Sequence, residues 1–274
     1  MKIAEILTLA AIPAIALSLT ACGKKPAASG SNQTASTSTP AAAGVQLDDK
    51  MKAVVNAEYR TYDDKNACWI AKGGDGDYCM IAKEAKKTFR DGVKIPATLI
   101  VMSSKGKIVN GALDATQGGG IGLLLVNRTD YSVIAKMPFA KAWDKDSTKQ
   151  MLMVTEAGKE LDGLAVYDTA QPSEAVEVQN YRYFAQNGST FTKAADFRLM
   201  WSDKTNKAAF NHFGANITSE DAAAVGEYKT IVLTVNGGFR NGKAVEGEKV
   251  FKLTYNKAKK AFDVPADYRR LMGQ

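Results

Sequence analysis

A succession of short apolar runs, each broken by a polar or glycine-containing turn, limits this chain more than any other feature. "ATLIVMSSKGKIVNG" reads as a strand, a Ser/Lys/Gly turn and a second strand, and "GLLLVNRTDYSVIAKM" repeats the form around Arg128-Thr129-Asp130. "QMLMVTEAGKELDGLAVYD" does so again, and "EVQNYRYFAQNGSTFTKAADF" places an Asn-Gly pair between aromatic runs, a strong hairpin cue. "RLMWSDKTNKAAFNHF", "YKTIVLTVNGGFRNGKAVEGEKVFKLTY" and "FKLTYNKAKKAFDV" continue the series. Hairpins in series predict antiparallel sheets and a strong β majority.

Helical spacing occurs near the front of this region. Leu47, Met51, Val54, Val55, Tyr59 and Tyr62 recur at that period behind Asp48 and Asp49, which suit a helix N-terminus. Tyr78, Ile81, Ala82, Ala85 and Phe89 form a second stripe with Gly92 as a stop, so a second helix is predicted there. On that helix Lys83, Lys86, Lys87, Arg90 and Lys94 fall on one face, opposite the apolar stripe. They are the candidate binding residues; the competing reading is a solvated helix face. Pro265 to Met272 reads as a short closing helix. The expected class is therefore α+β, predominantly antiparallel hairpins and sheets, with helices near the N-terminal part of the domain.

The first residues have a different character. Lys2 precedes an apolar run from Ile6 to Leu19 that Pro13 interrupts, and it is shorter than the about 20 residues a spanning helix needs. A charged start, an apolar middle and a small-residue exit describe a secretory signal peptide. The exit, Leu19-Thr20-Ala21-Cys22, resembles the lipobox of bacterial lipoproteins. That resemblance implies lipid on Cys22, loss of residues 1–21 and stable membrane attachment, because several acyl chains contribute about 0.8 kcal/mol per buried CH₂. Gly23, rather than Asp, after Cys22 implies the outer membrane, on the side facing the periplasm. Residues 22–45 then form the anchored tether. Positions 23–44 have no aromatic or large aliphatic residue and are expected to stay disordered, spanning roughly 25 Å. Residues 46–274 form the β-rich domain, as one unit or as subdomains of about 46–170 and 176–274.

Charge and residue inventory restrict the chemistry. A net charge of +7 draws a periplasmic domain to anionic envelope components or an acidic protein. No nucleic-acid motif is present. His212 is the one histidine, so multi-histidine metal centres and H-E-x-x-H proteases are excluded. Ser104-Lys105-Gly106-Lys107 matches S-x-x-K, but it reads as a turn and its companion motifs are missing. Gly118-Gly119-Gly120-Ile121-Gly122 lacks phosphate-loop spacing and reads as a flexible entry into "LLLV". Carboxylate pairs among 29 acidic residues keep a hydrolase as an alternative.

With Cys22 assigned to lipid, Cys68 and Cys79 are the remaining thiols in an oxidising compartment, and a disulfide is predicted. The spacing is not C-x-x-C, and two thiols with one distant histidine make a poor zinc site. Asp75-Gly76-Asp77 is like the start of a calcium loop, but Cys79, Lys83 and Lys86 occupy the later ligand positions. No cofactor is expected. The expected function is non-enzymatic binding by an anchored envelope protein, with an inhibitor or immunity protein against a periplasm-acting toxin or hydrolase as the alternative. Oligomeric state is not legible.

Overall fold

The structure, a computed structural model, describes residues 44–90, 95–224 and 226–274, except for the side chains of Phe89, Arg90 and Ile95. Cys22, its leader, the tether up to residue 43 and Lys94 lie outside the described residues.

The order is α1 (Asp49–Tyr59), β1 (Tyr62–Asp63), β2 (Cys68–Gly73), β3 (Gly76–Arg90), β4 (Ile95–Val109), β5 (Ala112–Asp114), β6 (Gly119–Asn127) and β7 (Val133–Trp143). Then come β8 (Ser147–Gly158), β9 (Leu161–Ser173), β10 (Val176–Asn187), β11 (Thr190–Asp203), β12 (Asn211–Glu220), β13 (Thr230–Arg240) and β14 (Lys243–Leu253). A small β15–β16 hairpin (Tyr255–Asn256, Ala261–Phe262) and α2 (Ala266–Leu271) close the chain. The β majority is as expected, whereas the helices are short and sit one at each end.

One sheet path runs β1-β2-β3-β4-β6-β7-β11-β10-β9-β8, with β12, β13 and β14 continuing from β11. Every pairing is antiparallel except β7 with β11, which meet through Thr190 and Lys136. Three apolar layers hold the path together. α1 places Met51, Val55 and Tyr59 on Trp69, Met80, Ile100, Met102 and Leu124. The opposite face of the same strands, with Leu99, Val101, Leu123 and Leu125, packs on Leu164, Val166 and Phe184 of β9 and β10. The far side of β9–β11, with Tyr181, Tyr183 and Phe197, packs on Leu233, Leu253, Tyr268 and Met272.

Local chemistry explains the elements. Asp48 caps α1 by accepting from the Met51 N–H at 2.8 Å, and Arg60 at φ +63° ends it. β6 is buried on both faces, which is why "GIGLLLV" reads as unbroken apolar sequence.

The glycines of β6 are structural, not a flexible entry. A Cβ at Gly119 would sit 2.5 Å from the Trp143 ring, and one at Gly120 the same distance from Phe139. At Gly122 it would meet the Tyr59 hydroxyl, which donates to the Pro138 carbonyl at 2.7 Å. The "SSKG" turn is also absent. β4 runs straight through Ser103–Lys107, with a register shift opposite Cys79 and Met80 that absorbs the extra residue. The chain turns instead at Asn110 and Gly111, both at positive φ.

The second predicted helix is overturned. Residues 76–90 are strand β3, paired with β4 from Asp77↔Ile108 to Arg90↔Ile95. Tyr78, Met80 and Ala82 are buried on one face at period two, a signal that coexists with the helical one. The tight β2–β3 turn and pairing to β4 outweigh the helix propensity of the Lys, Glu and Ala residues.

Cys68 and Cys79 form the expected disulfide, with Cα atoms 5.4 Å apart. It clamps the β2–β3 hairpin, not a strand to a helix. Its separation of 11 residues predicts a loss of about 3 kcal/mol in Cys68→Ser/Cys79→Ser, read from the urea midpoint.

Candidate binding seam

The seam arises where two sheet edges end without a neighbour. β8 is the last strand of its path: it pairs with β9, and among the described residues its other edge is met only at its end, where Gly158 bridges Tyr228 and the Ala157 carbonyl accepts from the Lys229 N–H. β3 is covered by β2 only from Gly76 to Met80, because β2 is six residues long and β3 fifteen. Beyond Met80 the Ala82 carbonyl accepts from the Val45 N–H at 2.8 Å, and among the described residues no strand pairs with the outer edge at Glu84–Thr88.

These two edges face each other. One cavity of about 460 Å³ is lined by Lys83 and Glu84 of β3, by Val101, Ser104 and Trp143, and by Gln150 and Leu152 of β8. A second, of about 450 Å³, is lined by Lys86, Lys87 and Thr88 together with Val154, Thr155 and Glu156, and is closed by the β8–β9 turn at Lys159, Glu160, Leu161 and Asp162. Each falls within the size range of ligand sites. The inter-sheet core is reached through the first, at Val101 and Trp143.

Side chains on the two walls differ in kind. Glu84, Lys86 and Thr88 oppose Val101, Leu99 and Ala97, so they share the inner face. Ala85 and Lys87 lie on the outer face, opposite Ile100 and Thr98. On β8 the inner face carries Leu152 and Val154, packed on the core, and the outer face carries Met151 and Met153. Met151 is 50% and Met153 45% exposed, high for long apolar side chains on a free edge. Edges are usually protected by charge. β3 has that protection, and the centre of β8 does not.

Of the five predicted basic residues, Lys83, Lys86 and Lys87 line the seam, Lys83 half-buried and the other two exposed. They do not share one face, since Lys86 and Lys87 point to opposite sides of the strand. Arg90 ends β3, its side chain outside the described residues, as Lys94 is entirely. The β8 wall was missed because its edge position depends on long-range pairing. Its one local signal is the uncharged "MLMV" run.

Other candidates are less suited to a reaction. A larger cavity, about 780 Å³, gathers Glu58, Asp63, Asp64 and Asp77 beside Tyr62. Glu58 binds Lys136 at 2.8 Å, and Asp77 lies 3.3 Å from Lys72. Hydrogen bonds from the Asn66 side chain and backbone hold the Asp63 carboxyl below its ordinary range. A general acid needs the opposite shift. Ser104 accepts from the Gly120 N–H at 2.9 Å, while Lys107 lies 3.6 Å from Asp75, so the S-x-x-K pair has separate partners. His212 is exposed on β12 opposite Ser202 and Phe239. Among the described residues no group of three or more His, Cys, Asp or Glu is placed to hold a metal ion, and no helix is long and apolar enough to cross a membrane. Comparison of the chain with family models, with curated proteins and with solved structures gives no match.

Proposed function

We propose that this chain is an envelope lipoprotein, held at the outer membrane through Cys22, that works by binding a protein partner in the β3–β8 seam rather than by catalysis. The observation that supports it is the pair of facing free edges, one carrying Met151 and Met153 and the other Lys86 and Lys87. Free strand edges bind extended chain through main-chain hydrogen bonds, and the flanking side chains supply selectivity. Anchoring adds to this by raising the local concentration of the site at the membrane. An inhibitor is the case in which the bound partner is a toxin or hydrolase.

A photo-crosslinking amino acid at Met153, introduced in living cells, tests the reading against the same probe at Val250, which is 51% exposed on β14. One defined adduct at Met153, absent at Val250 and reduced in Lys86→Glu/Lys87→Glu, is the expected result. Equal labelling at both positions, or no adduct at Met153, removes the seam as the functional site.

A further inference from the structure

We propose that the seam is a docking site for a single strand, an extended acidic segment of a partner protein that runs antiparallel to both β3 and β8. The proposal rests on the seam being the binding site and adds the mode, direction and charge of what binds.

Direction follows from the pairings. From β3 to β7 the path reverses three times, β7 and β11 are parallel, and from β11 to β8 it reverses three times more. β3 and β8 therefore run the same way along the path. The cavity linings agree, since residues 83 and 84 accompany 150 and 152, and residues 86–88 accompany 154–156. A strand between two co-directional edges pairs antiparallel with both, the arrangement used by all but one junction of this sheet.

Three features identify the occupant's chemistry. First, Lys149 to Glu156 of β8 keep unbroken register with β9, so that length of edge presents regularly spaced main-chain groups. Second, the Thr88 hydroxyl oxygen is buried without a hydrogen-bond partner on the seam wall. Buried polar groups are almost always paired, so this one suits an incoming donor or acceptor. Third, Lys86 and Lys87 are exposed, make no ion pair among the described residues and lie on opposite faces. Adjacent acidic residues on the incoming strand meet both, while its apolar residues contact Leu152 and Val154 inside and Met151 and Met153 outside.

Two other occupants fit less well. The chain's own residues 23–44 contain Lys24 and Lys25 and no acid, so they bring no carboxylate to meet Lys86 and Lys87. A second copy brings its own net charge of +7.

The test uses the full chain in detergent and a synthetic peptide alternating valine and threonine, with adjacent glutamates at its centre. Amide hydrogen exchange at Lys149–Glu156 and at Glu84–Thr88 is expected to slow on both edges when the peptide is added. Lys86→Glu/Lys87→Glu is expected to weaken that peptide about tenfold, and a lysine-for-glutamate peptide to recover the loss on the variant. Protection of one edge alone, or of neither at saturating peptide, overturns the proposal. So does protection in the free chain, whether it grows with protein concentration, as for a second copy, or is independent of it, as for residues before 44. A partner crosslinked at Met153 without edge protection defeats the strand mode and leaves the seam reading standing. Edge protection without any crosslinked partner shows that the seam can take a strand but removes it as the functional site, and the proposal with it.

Discussion

Arg182→Met is expected to lower the stability of the domain by about 3–5 kcal/mol, because it strands a buried carboxylate. Asp168 is 2% exposed and Arg182 13%. The guanidinium donates to Asp168 at 3.0 Å and to the Ala142 carbonyl at 2.5 Å, and its Nε lies 3.6 Å from Asp196. Ser147 donates to the other oxygen of Asp168 at 2.5 Å. One side chain therefore joins strands β7, β9, β10 and β11, which include the two strands that meet at the parallel junction of the path. Removing only the cation leaves Asp168 in a low-dielectric site with one hydroxyl donor. Urea unfolding of Arg182→Met and of Arg182→Met/Asp168→Leu checks this. The double variant is expected to recover most of the loss, since an apolar pair of similar size does not leave a buried charge uncompensated. Equal losses in both would instead assign the effect to packing.

Phe184→Ala is expected to cost a similar amount, about 3–5 kcal/mol, through a different mechanism. Phe184 is fully buried between the β4–β6–β7 and β9–β10 parts of the sheet path, beside Leu164, Val166 and Phe191. Backbone pairing on both sides of β10 restrains collapse around the missing ring, so a cavity term adds to the lost burial. Met153→Thr is the matched control. Its side chain is 45% exposed on β8 of the same sheet path, and its replacement is expected to shift stability by no more than about 0.5 kcal/mol. Thermal or urea unfolding of the two variants separates core from edge. A large loss in Met153→Thr would mean that the β8 edge is already packed against something in the free protein.

Legibility followed the range of the interaction. α1 was readable because a cap, an acidic first turn and an apolar stripe lie within fifteen residues. The hairpins at Lys159-Glu160, Asn187-Gly188 and Asn241-Gly242 were readable because turn chemistry is local. β3 was misread because Tyr78, Ala82 and Ala85 satisfy the helical period while Tyr78, Met80 and Ala82 satisfy the extended one. Only pairing with β4, more than a dozen residues away, chooses between them. The β6 glycines failed for a related reason, since the partners that exclude a Cβ come from α1 and β7. The seam was half legible. Its lysines stood out by charge, but that they face β8 depends on the β7–β11 junction, which one residue pair makes and no local pattern announces.

The Val45 N–H to Ala82 carbonyl bond also has a mechanical side. Among the described residues it is the first contact that tension from the amino-terminal side would meet. The load falls first on one hydrogen bond at the rim of β3, before it reaches α1 or the thirteen register pairs that fix β3 to β4. A single bond yields at far lower force than a ladder pulled in shear. Pulling from the amino-terminal side would therefore peel Val45 off and expose one more carbonyl on β3, leaving the three layers intact. Among the described residues, the rim of the seam is where such a pull would be felt first.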